Sequence, residues 1–283
     1  MFSTGFWIAI AAIAAIFGLA VVVGMNMKRV IRFLIRVDIQ NDFCETGNLP
    51  VAGGSLIVAI VNKLSQLGKR VGYYHRIIDS QDSHPADHGS FFTQHPGLAA
   101  FTMHTLNGLA QMLWTVHCVV ETVGWQFHKD LDRSAGIVDH TVRKGQDARV
   151  DSYSAFYDNG RDASAALKAQ YPFLGQATGL EAYIIAEADK LGADEIVIDV
   201  VGLAFDYCVA YTAIDARTIV YKGKPVHVRI IIDATKAIAN TPEQIAAKVK
   251  ELEALGIEIV YSKDVINEMT ARAAAAVSPI MPH

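Results

Sequence analysis

The stretch EIVIDVVGLAFDYC, residues 195–208, does most to decide the fold. Its first half is a short apolar run rich in β-branched residues, which predicts a buried strand over 195–201. Residues 206–221 have the pattern of a helix, so the turn that contains Gly202 joins a strand to a helix. Parallel α/β sheets are built from such strand–helix units.

The same alternation continues on both sides of this unit. Further strands are predicted at 30–39, 71–78, 137–142, 226–232 and 257–261, and further helices at 55–68, 178–191, 241–255 and 263–275. This order implies a mostly parallel sheet with helices on both faces, which is a Rossmann-like three-layer α/β architecture. Residues 79–131 show little periodicity, and so long a loop is typical of an active-site element.

The N-terminal segment is apolar and uncharged. FWIAIAAIAAIFGLAVVV, residues 6–23, forms with its neighbours a run of about 20 residues, which is long enough to cross a bilayer as a helix. Basic residues from Lys28 onward follow this run and none precedes it, which places the body of the chain in the cytoplasm. We therefore expect a membrane anchor at 1–27 and one α/β domain at 28–283. A cleaved signal peptide, or a buried core helix in a soluble cytoplasmic protein, is the alternative.

Composition limits the partners of the chain. A net charge of -4 and a pI near 6.2 give no indication of nucleic-acid binding. Three cysteines, Cys44, Cys118 and Cys208, do not form a disulfide framework and are typical of a reducing compartment. The sequence leaves a homo-oligomer open.

Three reactive side chains follow predicted strands. Asp38 ends the first strand, Lys144 follows the third, and Cys208 lies just past the turn after the fourth. In parallel sheets the carboxyl ends of the strands form one edge, where ligands bind. A thiol at a helix start is favoured as thiolate, a carboxylate can take its proton, and an ammonium group can balance the charge. Each residue taken alone is more often structural, so spacing by itself leaves both readings open.

A second group is rich in histidine. Asp82 and His84 form a D-x-H pair, with His88 soon after and His117 further on. Carboxylate and imidazole ligands suit one divalent transition metal, Zn, Fe or Mn. Surface histidines in a loop are the alternative.

Several motifs together resemble a known family. They are VDIQNDFC at 37–44, SQDSHPADHGSF at 80–91, LNGLAQMLWTVHCV at 106–119, RKGQD at 143–147, VDSYSAFYDNG at 150–160 and GLAFDYCV at 202–209. In this order they resemble the nicotinamidase/pyrazinamidase branch of the isochorismatase-like cysteine hydrolases, over roughly residues 30–261.

The resemblance implies a metal-dependent cysteine amidase that converts nicotinamide to nicotinate and ammonia in NAD salvage, with pyrazinamide as an analogue. The roles that it implies are catalysis by Asp38, Lys144 and Cys208, oxyanion binding at Ala204 and Cys208, metal binding by Asp82, His84, His117 and in some members His88, and substrate contact by Phe43, Trp114 and Tyr153. It also implies that the Leu203–Ala204 bond can be cis.

Some positions depart from the family pattern. Ser83 stands where a tryptophan is usual, Thr115 where a proline is usual, and Phe205 where a threonine is usual. These changes leave reduced activity or an altered substrate choice open. The alternatives are an amidase for another small carboxamide or carbamoyl compound, and a membrane-tethered relative that binds ligand without turnover.

Overall fold

The computed structural model describes residues 28–239 and 241–277. Its centre is a six-stranded sheet in which every neighbouring pair is parallel. The strands are β1 (Val30–Val37), β2 (Arg76–Asp82), β5 (His140–Lys144), β6 (Glu195–Leu203), β9 (His227–Lys236) and β10 (Glu258–Val260). They lie in the order β10–β9–β6–β1–β2–β5, so β1 is in the interior and β5 forms one edge.

Six α-helices and two hairpins complete the described chain. The helices are α1 (Ile57–Arg70), α2 (Ala165–Gln170), α3 (Leu180–Lys190), α4 (Ala210–Thr218), α5 (Pro242–Ala254) and α6 (Ser262–Val277). The hairpins pair β3 (Met103–Leu106) with β4 (Leu109–Met112), and β7 (Val220–Tyr221) with β8 (Lys224–Pro225). Shorter helical turns occur at Asn41–Phe43, Gly54–Leu56 and Phe92–Gln94, and a π-helical turn occurs at Phe205–Val209.

Both faces of the sheet are covered, because successive side chains of a strand point to opposite faces. Phe33 and Ile35 of β1 pack with α3, α4 and α5 in one hydrophobic cluster. Leu34, between them, packs with α1 and α6 in the other cluster. The predicted three-layer α/β fold is therefore confirmed.

The structure corrects several predicted boundaries. The second strand begins at Arg76 rather than 71 and continues to Asp82, so Asp82 belongs to a strand and not to an irregular segment. Lys144 is the last residue of its strand rather than a residue beyond it. The helix predicted at 206–221 is split into the π-helical turn, α4 and the small hairpin. The predicted loop 79–131 contains the β3–β4 hairpin.

The predicted anchor at 1–27 lies outside the described residues. Within the part of the chain that the structure describes, no helix has the length and apolar character needed to cross a membrane.

Candidate functional site

Asp38, Lys144 and Cys208 meet at the carboxyl edge of the sheet. Asp38 directly follows β1 and has a left-handed backbone, with φ of 46°. Lys144 ends β5, and Cys208 lies in the π-helical turn Phe205–Val209 after β6. The Leu203–Ala204 peptide bond that enters this turn is cis, as the resemblance implies.

The Lys144 ammonium group lies at the centre of this group. Its Nζ is 2.9 Å from Asp38 Oδ2 and donates a 3.5 Å hydrogen bond to Cys208 Sγ. The same Nζ lies 3.2 Å from Asp82 Oδ1 and donates to the Ser152 carbonyl at 2.8 Å. All of these side chains are buried. A charged group buried in this way is stable only when it is paired, and Lys144 is paired on several sides.

Burial and neighbouring charges set the protonation of this group. Burial raises the pKa of the Cys208 thiol well above its usual range. Lys144 lowers this pKa, whereas the Asp38 and Asp82 carboxylates raise it further. Burial also raises the pKa of Asp38, although Lys144 opposes the increase. Burial alone lowers the pKa of Lys144, but the two carboxylates outweigh it and raise that pKa well above its usual range.

Burial therefore favours the thiol form of Cys208. The sequence predicts a thiolate favoured by a helix start, but Cys208 lies in a π-helical turn and is only 7% exposed. Asp38 is the carboxylate beside this thiol, in position to accept its proton.

Asp82, His84 and His117 form a compact cluster next to Lys144. Asp82 Oδ2 lies 3.0 Å from His84 Nε2 and 3.6 Å from His117 Nε2. His84 Nδ1 contacts the Gly145 carbonyl at 2.8 Å, and His117 Nδ1 contacts the Thr115 carbonyl at 2.7 Å. Because a carbonyl only accepts, each Nδ1 carries the proton, and in the neutral ring each Nε2 presents a lone pair.

Three lone-pair atoms therefore converge: Asp82 Oδ2, His84 Nε2 and His117 Nε2. In the neutral rings, neither Nε2 carries a hydrogen. His84 Nε2 is buried and has no hydrogen-bond partner of suitable geometry. Burial alone lowers the pKa of His84, but the Asp82 carboxylate outweighs it and raises that pKa. The donor set and its convergence fit one divalent transition metal.

Gly145 allows this close approach. Its φ is +65°, and a Cβ at this position would lie 2.5 Å from His84 Cε1 and 2.8 Å from Asp82 Oδ1. A side chain here would push His84 and Asp82 apart, so the glycine after Lys144 is needed by the cluster itself.

His88 lies beside the cluster but does not belong to its donor set. Its ring is 4.1 Å from that of His84, and its Nδ1 contacts Ser90 Oγ at 2.8 Å. A second group of three potential ligands consists of His84, His88 and Asp151. Burial and the neighbouring His84 lower the pKa of His88 to about 3, so its ring is neutral.

The substrate-contact residues expected from the resemblance surround a small cavity. Phe43, Trp114 and Tyr153 line it together with Cys208 and Asp82. Ala204, the expected second oxyanion donor, also lines it. Its volume is about 20 Å³, which is enough for about one water molecule. An aromatic ring therefore requires the lining side chains to move, and Tyr207 is a half-buried member of that lining.

The three departures from the family pattern do not open or fill this cavity. Ser83 accepts a 2.9 Å hydrogen bond from Trp125 Nε1, so another tryptophan contacts the position where tryptophan is usual. Thr115 Oγ1 donates to the Asn48 carbonyl at 2.6 Å, while its own carbonyl holds His117. Phe205 is 1% exposed and packs in the cluster around α3, α4 and α5. None of the three lines the cavity.

Sequence reasoning missed two members of the site. Asp151 is buried, lines the cavity and accepts hydrogen bonds from Gln111 Nε2 and Ser152 N, both at 2.8 Å. The Ser152 carbonyl holds Lys144. Both lie in the quoted motif VDSYSAFYDNG, but no periodicity distinguishes them, and Ser152 acts through its backbone.

The fold and the site together define a class of protein: a parallel three-layer α/β domain with a buried cysteine, carboxylate and amine beside a potential metal cluster. The Isochorismatase domain model matches residues 32–264. The chain therefore belongs to the isochorismatase family.

Within this family, the chain is similar to proteins named as nicotinamidases and pyrazinamidases. The nicotinamidase of Escherichia coli K12 is 37% identical over 233 residues, which cover 82% of this chain and 96% of that protein. The crystal structure of the yeast nicotinamidase bound to the inhibitor nicotinaldehyde matches with a TM-score of 0.67 and 28% identity, covering 82% of this chain and 100% of that one. The structure of the pyrazinamidase of Pyrococcus horikoshii in complex with zinc matches with a TM-score of 0.55 and 27% identity. The match covers 81% of this chain and 98% of that one.

Proposed function

We propose that this chain is a metal-dependent cysteine amidase that hydrolyses nicotinamide to nicotinate and ammonia. One observation carries the proposal: Asp38, Lys144 and Cys208 lie in contact at the sheet edge, and Lys144 also contacts Asp82 of the metal cluster. The nicotinamidase relatives match most of this chain and nearly all of their own length, which supports the same chemistry. Nicotinate formation would return nicotinamide to NAD synthesis.

The first step needs a proton acceptor for the thiol. Asp38 takes the Cys208 proton, and the thiolate attacks the carboxamide carbon so that a C–S bond forms. The raised pKa of Asp38, caused by burial, makes it a better base than an exposed carboxylate. Lys144, within reach of both groups, compensates the negative charge as the proton moves.

The carbonyl oxygen gains negative charge as the C–S bond forms. Ala204 and Cys208 line the cavity, and their backbone N–H groups are the proposed donors to this oxygen. Asp38 then returns its proton to the leaving nitrogen, the C–N bond breaks, and ammonia departs. Asp38 next takes a proton from water, whose oxygen attacks the thioester. The C–S bond breaks, nicotinate is released, and the thiolate regains its proton.

The metal cluster would hold the ring end of the substrate. A zinc, iron or manganese ion bound by Asp82, His84 and His117 would supply a positive centre able to accept the lone pair of a ring nitrogen. The zinc complex of the pyrazinamidase relative supports a metal of this kind. Phe43 and Trp114 would pack on the ring faces, since both line the cavity.

The activity is tested by ammonia release from nicotinamide with zinc, iron or manganese supplied, and with pyrazinamide and other aromatic carboxamides as a panel. We expect ammonia and nicotinate in equal amounts, and slower release from amides that lack a ring nitrogen. Absence of ammonia release with every metal would contradict the proposal.

Metal binding has a separate test in the elemental content of the purified protein. His84→Ala removes one of three converging ligands and is expected to lower metal affinity by about 10-fold or more. His227→Ala is the control, because this exposed histidine pairs with Glu258 away from the site. Equal transition-metal content in the native protein and the His84 variant would contradict the assignment.

A further inference from the structure

A cationic cleft lies along the open edge of the sheet, apart from the candidate site. It has a volume of about 890 Å³ and is bounded by the edge strand β5 and the segment 125–133. The cavity around Cys208 has a different set of lining residues, with no member in common. Volumes of this size are typical of small-molecule sites.

Its charge is one-sided, although the chain as a whole carries -4. The positive or titratable lining residues are His128, Lys129, Arg133, His140 and Arg143, and the lining in the described chain includes no Asp or Glu. Lys129 pairs with Asp130 outside the lining. The buried carboxylate of Asp79 is shared by Arg133 and Arg36, so two cations meet one anion there.

Two arginines are held against aromatic rings on this surface. The guanidinium carbon of Arg143 lies 5.1 Å from the Trp125 ring centroid, and that of Arg133 lies 3.9 Å from the Phe127 ring centroid. Arg133 also donates to Thr141 Oγ1 at 3.0 Å. Thr141 and Arg143 are two residues apart on β5, so their side chains leave the strand on the same side.

Arg143 has no carboxylate partner within residues 28–239 and 241–277. A guanidinium that is oriented by an aromatic ring and free of a counter-ion keeps its N–H donors available, and its planar fork matches phosphate oxygens. Gln126 and Gln146 line the same cleft with exposed amide groups, which are donors and acceptors of the kind that recognise a nucleobase. Gln81 also lines it, but its side chain is buried and donates to the Trp125 carbonyl.

We propose that this cleft binds a nucleoside phosphate, with the phosphate at Arg143 and Arg133 and the nucleoside against the glutamine side chains. A chain of hydrogen bonds connects the wall of the cleft to the metal cluster. The Trp125 carbonyl accepts hydrogen bonds from Gln40 at 2.8 Å and Gln81 at 3.0 Å, and Gln40 in turn bonds the backbone of Asp82. The inference does not depend on the amidase activity.

Calorimetric titration of the full chain with AMP tests the proposal, with adenosine and inorganic phosphate as separate ligands. We expect AMP to bind at one site, phosphate more weakly and adenosine without measurable heat. Arg143→Gln should weaken AMP binding about tenfold or more, since it removes charge-assisted hydrogen bonds.

Arg149→Gln is the matched control. Arg149 is also an exposed arginine over an aromatic ring, that of Phe173, but it pairs with Asp147 and does not line the cleft. The Arg149→Gln variant should bind AMP as tightly as the native protein does. Saturating nicotinate should also leave the binding of AMP to the native protein unchanged. The proposal is overturned if AMP does not bind, if adenosine binds equally well, if both variants weaken AMP alike, or if nicotinate displaces AMP.

Discussion

At the residue scale, Lys144 is the side chain on which the candidate site depends. It contacts Asp38, Asp82 and Cys208. These three residues and Lys144 come from four different parts of the chain. The sequence predicted its place at a strand end but not its contact with Asp82. That contact depends on how β2 and β5 align, with Asp82 directly opposite Lys144. Register between strands that are far apart in sequence is not encoded in any local pattern.

Asp158 offers a pH-dependent prediction. Burial and then Asp147 raise the pKa of Asp158 from 3.8 to about 6. A carboxyl with a raised pKa in the folded state favours folding when it is protonated, so its contribution is complete below about pH 4 and is lost as pH rises through about 6. At about pH 7, Asp158→Asn should therefore stabilise the protein by about 1–2 kcal/mol, after allowance for partial exposure.

Urea unfolding at several pH values measures this effect. The advantage of Asp158→Asn over the native protein should shrink as pH falls from about 7 to about 4. Asp162→Asn, at an exposed position of the same loop, reports the effect of removing one negative charge there. An advantage for Asp158→Asn that is independent of pH would show that burial does not disfavour the charged form.

At the scale of elements, the charged residue Asp79 in the buried strand β2 has a structural reason. Asp79 lies in the middle of β2 and is fully buried, but Arg36 of β1 meets it with two hydrogen bonds, of 2.6 and 3.0 Å. The two residues are directly opposite in the parallel register of β1 and β2. Arg133 adds a third bond, of 2.7 Å, to the same carboxylate. A buried salt bridge thus joins two neighbouring strands.

Breaking this pair from one side should be costly. Arg36→Met leaves Asp79 buried with one partner fewer and is expected to destabilise the fold by about 3–5 kcal/mol. The double variant Arg36→Met/Asp79→Leu should recover much of that loss, because no uncompensated buried charge remains between the strands. Chemical unfolding of the three proteins measures both values.

Lys28→Met serves as the control, since it breaks an ion pair with Glu195 in which the lysine side chain is 61% exposed. It should change stability little. If the double variant is no more stable than Arg36→Met, the salt bridge is not the source of the cost.

The elements also show how far the sequence alone predicts this protein. The run EIVIDVV predicts its strand because a buried parallel strand is continuously apolar, and Pro242 in the first turn marks the start of α5. The β3–β4 hairpin was not predicted, because its strands have four residues each and their burial is only partial. The structural effect of Ser83 could not be predicted either, since its partner Trp125 is 42 residues away in the sequence.

At the scale of the whole molecule, the chain belongs to the isochorismatase family. We propose that residues 1–27 anchor it to a membrane and that residues 28–283 form one domain in the cytoplasm. Full-length protein should then pellet with membranes, and a variant that begins at Lys28 should remain in the supernatant while keeping its amidase activity. Recovery of the full-length protein in the supernatant would contradict the anchor. The family fold and the candidate site do not depend on this result.

The most direct test of the central claim compares two buried cysteines. Cys208→Ser removes the proposed nucleophile, while Cys44→Ser alters a buried thiol that does not line the cavity. With metal supplied, ammonia release from nicotinamide should fall by about 10³-fold or more in Cys208→Ser and by less than about threefold in Cys44→Ser. If Cys208→Ser releases ammonia at a rate close to that of the native protein, Cys208 is not the nucleophile and the account is wrong.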